Sequence, residues 1–166
     1  MQQRPHIAPD YDEDFFAWTQ HQAKLLRTLD RGRPDLPASL DLKQVAEEIQ
    51  DSGSAELNSV KSLIRQILVH LIKGASEPAS TALGHWRTEA TTFHFDMLDA
   101  YTPSMRRLID MEKLWGRALK LADLGLREHG SSMSAEVPAE CPFSVEDLVA
   151  EDFSFDAALE RLRRRD

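Results

Sequence analysis

One segment sets the terms for the whole chain: Asp41 to Gly74, whose second half is the most apolar stretch in the sequence. Leu57, Val60, Leu63, Ile64, Ile67, Leu68, Leu71 and Ile72 recur there at helical spacing, with Arg65, His70 and Lys73 set among them. At ~100° per residue these apolar positions sweep about half of a helical cylinder, wider than the stripe of an ordinary surface helix. A helix of that kind is covered by neighbours on two sides. The pattern predicts two helices meeting at Ser52-Gly53-Ser54. Asp41 caps the first, with Gln44 placed three positions on to reach back, and Leu42, Val45, Ala46 and Ile49 give it an apolar face. Gly53 stops it. Ser54 caps the second, with Glu56 in its first turn against the positive dipole end, and the helix runs from about Ala55 to Lys73.

The flanking sequence reads the same way. Asp10 or Asp12 caps a first helix through Phe15, Trp18, Gln22, Leu25 and Leu26 to about Thr28, with Asp12, Glu13 and Asp14 in its first turn. Two prolines and a glycine in Asp30–Pro37 make a connector. After Gly74 the segment from Glu77-Pro78 is weakened by Gly84, and a firmer pattern at Trp86, Ala90, Phe93 and Met97 ends near Tyr101. Thr102-Pro103 restarts a helix carrying Met105, Leu108, Ile109, Trp115, Leu119, Ala122 and Leu126, which ends at Gly130. Residues 131–143 form a loop. Ser144 with Asp147 starts a short helix, and Ser154 caps a last one presenting Phe155, Leu159 and Leu162. No useful length alternates with period two. The expected fold is all-α: a single domain over residues 1–166, built as a compact bundle of about five main helices plus short C-terminal helices, with residues 1–9 as a flexible leader. The segment 144–166 packs on the bundle or extends from it.

Composition narrows the function classes. A domain of 166 residues buries roughly 70% of its unfolded surface, enough for a real core. The formal net charge of −8 argues against nucleic-acid binding, and the arginines at 161, 163, 164 and 165 read as a solvated helix end. Cys141 is the only cysteine, which leaves no internal disulfide and no cysteine metal cluster. No cationic stretch precedes an apolar core at the N-terminus, and no run approaches ~18 apolar residues, so a cytoplasmic protein without a membrane span is expected.

Several stretches, taken in order, are similar to a bacterial family of uncharacterised proteins. They are Tyr11-Asp12-Glu13-Asp14-Phe15 with Ala17-Trp18-Thr19, then Leu42 with Val45-Ala46-Glu47-Glu48-Ile49 and Gly53. Leu68-Val69-His70-Leu71-Ile72-Lys73 and Trp86-Arg87 follow, and Pro138, Glu140-Cys141-Pro142-Phe143, Leu148 and Glu151-Asp152-Phe153 close the set. The chain resembles the family called domain of unknown function twenty-nine. Gly74 stands where that family commonly has an aromatic residue. The resemblance implies a compact all-helical fold and no established activity.

Chemistry-bearing residues are few. Glu47 and Glu48 with His70 are carboxylate and imidazole groups of the kind that hold a divalent metal, presented from adjacent antiparallel helices. The competing reading is structural: Glu48 pairs with Arg65 or Lys73 to tie a hairpin, and His70 makes a hydrogen bond at the core edge. Cys141 lies between prolines with no activating base, and Trp18, Trp86 and Trp115 each stand in an apolar helical series as core anchors. No phosphate loop and no nucleophile elbow occurs. The leading expectation is a non-enzymatic interaction module that binds a protein partner or self-associates. The alternative is a metal- or small-ligand-binding protein, catalytic or not, whose pocket is lined by Glu47, Glu48, Arg65, His70, Lys73, Trp86 and Arg87, with the cofactor, if any, unspecified.

Overall fold

In a computed structural model the described residues are 8–32, 35–37 and 39–163. They are helical, with no strand among them. Helix α1 spans Phe15–Gly32, α2 Leu42–Ser76 and α3 Leu83–Ala100. A 3₁₀ segment at Pro103–Leu108 precedes α4 at Met111–Glu128, α5 at Val145–Val149 and α6 at Phe155–Arg163. Residues 1–7 of the leader expected at 1–9, Arg33-Pro34 of the connector and the arginines at 164 and 165 lie outside the described residues.

Two expected helix boundaries are corrected. The pair of helices predicted across Ser52-Gly53-Ser54 is a single α-helix of 35 residues. Gly53 is not a stop, because its missing side chain answers a packing demand rather than a turn: a Cβ built on it would lie 2.0 Å from Thr19 Oγ1. The helix predicted from Thr102 to Gly130 is broken near its start. Asp110 adopts extended backbone (φ −90°, ψ 97°) and its carboxylate caps α4 by accepting the Lys113 N–H.

The chain divides into two compact units. The first comprises Met1–Asn58 and Thr102–Arg106, and so holds α1 and the first half of α2. Its core takes Phe16, Thr19, Ala23, Leu42, Ala46, Leu57 and Met105. The Thr19 hydroxyl donates to the Phe16 carbonyl at 2.8 Å, which fixes the side chain that Gly53 accommodates. Arg27 donates to Gln50 Oε1 at 2.7 Å, tying α1 to α2. Asp14, rather than Asp10 or Asp12, caps α1: it accepts from the Ala17 N–H at 2.9 Å and from the Ser104 hydroxyl at 2.7 Å. Burial pushes the Asp14 carboxyl up, but hydrogen bonds from Ala17, Ser104 and Thr102 outweigh it and hold the group below its usual range. Asp41 caps α2 as expected, accepting from the Gln44 N–H, while the Gln44 amide turns to Glu48 instead of reaching back.

The second unit comprises Ser59–Tyr101 and Arg107–Asp166. Every residue from Ile67 to Ile72 is buried there, so α2 is enclosed on all sides over those positions. Helix α3 packs against α5 and α6. His94 of α3, 2% exposed, stacks on Phe153 with ring centroids 4.7 Å apart. Trp115 is fully buried and its indole N–H donates to the Pro138 carbonyl, pinning the 131–143 loop to α4. Helix α4 ends in a Schellman motif. Gly130 takes the left-handed conformation (φ 77°), the Ser131 N–H reaches the Leu126 carbonyl and the Gly130 N–H that of Arg127. Ser144 and Asp147 form a reciprocal capping box at α5. Ser154 accepts from the Ala157 N–H at the start of α6, and Arg163 of that helix donates to the Gly74 carbonyl at 3.0 Å.

The Gly53 contact yields a test. Alanine is favoured over glycine inside a helix by about 1 kcal/mol, yet Gly53→Ala is expected to lower stability, because overpacking against buried Thr19 costs about 1–3 kcal/mol. Adding Thr19→Ala removes the hydroxyl and should restore the melting temperature. A rise in melting temperature for Gly53→Ala alone would show that the close approach does not exist.

Candidate functional site

Three helical ladders in the second unit turn polar side chains towards one another. His70 and Lys73 on the last turns of α2 and Glu77 just beyond its end follow at three- and four-residue spacing, while His85 and Glu89 of α3 and Gly125 and His129 at the end of α4 are four apart. These residues, with Ser80, Thr81, Ala82, Trp86 and Leu126, line a hollow of about 470 Å3. That volume suits a small organic molecule.

Glu89 is the hub of one wall. One of its oxygens lies 3.2 Å from His70 Nε2 and 3.5 Å from His85 Nε2. His70 is 9% exposed, its ring stacks on Phe93, and its other nitrogen, Nδ1, is buried with no hydrogen-bond partner among the described residues. Burial pushes the His70 imidazole below its usual value; the Glu89 charge opposes that shift, and the Lys73 and His85 charges reinforce it. On another wall the Ser131 hydroxyl makes a short hydrogen bond to Glu77 Oε1. His129 Nδ1 meets the Gly125 carbonyl at 2.8 Å, which places the donated hydrogen on Nδ1. Lys73 lies along α4 at Gly125, where an added Cβ would stand 2.7 Å from its Nζ.

Of the residues expected to share a pocket, His70, Lys73 and Trp86 do so. The others stand elsewhere. Glu47 faces Lys43 at 4.0 Å and Glu48 accepts from Gln44, both in the first unit. Because α2 is unbroken, Glu48 is roughly six turns before His70 on the same helix, so no antiparallel hairpin sets the two opposite each other. Arg65 donates to Ser62 one turn back, and Arg87 donates two N–H groups to Asp156 of α6. Sequence reasoning missed Glu77, Glu89, His85, Gly125 and His129. The His85–Glu89 spacing was a usable signal.

Among the described residues no three His, Cys, Asp or Glu groups stand where they could hold one metal ion. The Cys141 thiol is pushed up by burial, against a smaller opposing main-chain hydrogen bond at Phe143. A thiol in that state is a poor nucleophile. No helix among the described residues is long and apolar enough to cross a membrane.

A family model described as "Domain of unknown function DUF29" matches residues 11–154. The chain belongs to that family. A solved structure with a very similar fold is an α-helical protein of unknown function from Rhodospirillum rubrum ATCC 11170. It is 39% identical, covers 94% of this chain and 99% of its own, and superimposes with a TM-score of 0.91. No curated protein matches. The DUF29 assignment agrees with the all-α architecture and adds no activity to the hollow.

The two buried imidazoles give a pH dependence. Burial pushes His94 down as it does His70, against the main-chain groups of Ala150 and Leu148. Below the usual value of 6.5 the unfolded chain binds more protons than the folded one, so stability falls as pH drops through that value. The melting temperature is expected to decline between about pH 7 and 5, and His94→Leu and His70→Leu should each flatten the slope. Asp14 and Asp147, both held below 3.8, act only in a more acidic window. A wild-type profile flat from pH 7 to 5 would contradict both shifts.

Proposed function

We propose that this protein is a small-molecule-binding protein whose site is the hollow between the end of α2, the start of α3 and the end of α4. One observation carries the reading: a charged ammonium, three imidazoles, two carboxylates and an indole converge on a single open volume of about 470 Å3. Helical domains bind ligands in such interhelical spaces, with a few polar groups fixing orientation and an aromatic wall providing contact area. The absence of a three-ligand cluster among the described residues directs the reading to an organic ligand rather than a metal.

A second observation favours the protein-interaction reading. Leu25 and Leu29 of α1 are 48% and 38% exposed, and with Leu26 they border an apolar groove of about 440 Å3 in the first unit. The occupant this reading takes is a second copy of the chain, and Leu25→Glu with Leu29→Glu would then abolish a dimer seen by sedimentation.

The ligand reading is tested by thermal-shift screening of metabolite-sized molecules of every charge type, with wild type beside Trp86→Ala. A ligand at 100 times its Kd stabilises by about 2.7 kcal/mol, a shift of several degrees for a chain this size. A compound that raises the wild-type melting temperature but not that of the variant supports the site. Equal shifts in both proteins place the binding elsewhere.

A further inference from the structure

We infer that His94 is an acid-sensitive latch: when its imidazole takes up a proton, the segment carrying α5 and α6 opens from α3 while the rest of the second unit stays folded. The inference is independent of the hollow.

His94 is a polar side chain in an apolar place. It is 2% exposed, its ring stacks on Phe153 with centroids 4.7 Å apart, and its Nε2 is buried with no hydrogen-bond partner among the described residues. Buried polar atoms are nearly always satisfied, so an orphan at this depth needs a reason. Its cost depends on the protonation state. A neutral ring forgoes one hydrogen bond. A charged ring is a donor at both nitrogens, and a buried charge with an unanswered N–H is far more costly. Opening lets water answer both groups, so a proton favours the open form.

The groups that close over the ring belong to one segment. Phe153 lies between α5 and α6, and main-chain groups of Leu148 and Ala150, at the end of α5, are the ones that act on the imidazole. They oppose the downward push of burial without cancelling it. The charged side chains of the packed elements are engaged elsewhere or face water. Asp147 faces Arg161, Asp156 faces Arg87, Glu89 faces His70 and His85, and Arg163 reaches the Gly74 carbonyl. Glu146, Glu151, Asp152 and Glu160 of the segment are exposed, as are Asp96 and Asp99 of α3.

The segment is also the part suited to open by itself. Helices α5 and α6 have 5 and 9 residues, too short to persist without packing. The Arg87–Asp156 pair that ties α6 to α3 is 45% and 61% exposed, and such a pair holds weakly. What remains is the apolar underside of Val145, Leu148, Phe155, Leu159 and Leu162, which opening uncovers. Short elements held by one packed face are the ones that open below the global unfolding free energy.

The test is amide hydrogen exchange on the full chain at about pH 7.5 and 5.5, read as protection factors so that the intrinsic pH dependence of exchange is removed. Between those values an ordinary imidazole goes from about one-tenth to about nine-tenths protonated, which raises the open population by up to about tenfold. The expected result is a severalfold loss of protection in α5 and α6 at the lower pH, with α4 and the middle of α2 unchanged. His94→Phe keeps the stacked ring without a titrating group, and His94→Gln keeps a polar side chain without one; either variant, checked for native melting, should abolish the response. Unchanged protection of α5 and α6 in the wild type overturns the inference. A loss spread evenly over α2, α4 and α6 also overturns it, because the whole unit then yields together. A response that persists in the His94 variants would assign it to another group, His70 first among them, and overturns it as well.

Discussion

Six consecutive buried residues, Ile67 to Ile72, are the constraint from which the second unit follows. A helix turns fully within four residues, so burying six in a row demands cover on every side. Helices α3 to α6 are the other helical elements of that unit. The same enclosure takes His70 with it. An imidazole at that register is removed from water because its neighbours Val69 and Leu71 must be, and Glu89 from α3 meets its Nε2. The polar wall of the hollow is thus a consequence of how the core is closed.

Much of this was legible in the sequence because it rests on local physics. The apolar register from Leu57 to Ile72, the cap at Asp41, the capping box at Ser144 and the left-handed glycine at 130 depend on residues within one or two turns of each other. The all-α class follows from the same patterns, and the family resemblance from the stretches quoted for it. The site was legible only in part. His70, Lys73 and Trp86 share a hollow, but Gly125 and His129 reach it by tertiary packing, and nothing near them in sequence announces a lysine some fifty residues away. Glu47 and Glu48 were drawn into the site by a hairpin that the structure replaces with one helix.

The misread hairpin shows where single-sequence reasoning gives way. Ser-Gly-Ser is a fair turn signal, since glycine inside a helix costs about 1 kcal/mol relative to alanine. That cost is modest beside the ladder of hydrogen bonds on either side of it, and the helix continues. What selects glycine at position 53 is a threonine from another helix, buried at 1% exposure and held by its own hydrogen bond. Gly74 follows the same logic against Leu83 and Leu159. In this chain two glycines inside α2 mark close approaches.

Gly74 also bears on the order in which the chain assembles. The DUF29 resemblance sets an aromatic residue at this place, whereas here the space above α2 is taken by Leu83 and Leu159, with the carbonyl of Gly74 met by Arg163. The contact spans 89 positions, so the last turns of α2 emerge from the ribosome long before the residues that cover them. Until α6 is made, that end of the helix keeps an uncovered apolar bed and an unanswered carbonyl. Closure of so distant a contact is slow compared with helix formation, and it comes last. The second unit therefore matures at its C-terminal edge, where a nascent chain interrupted before α6 would present leucine side chains to whatever protein is nearest.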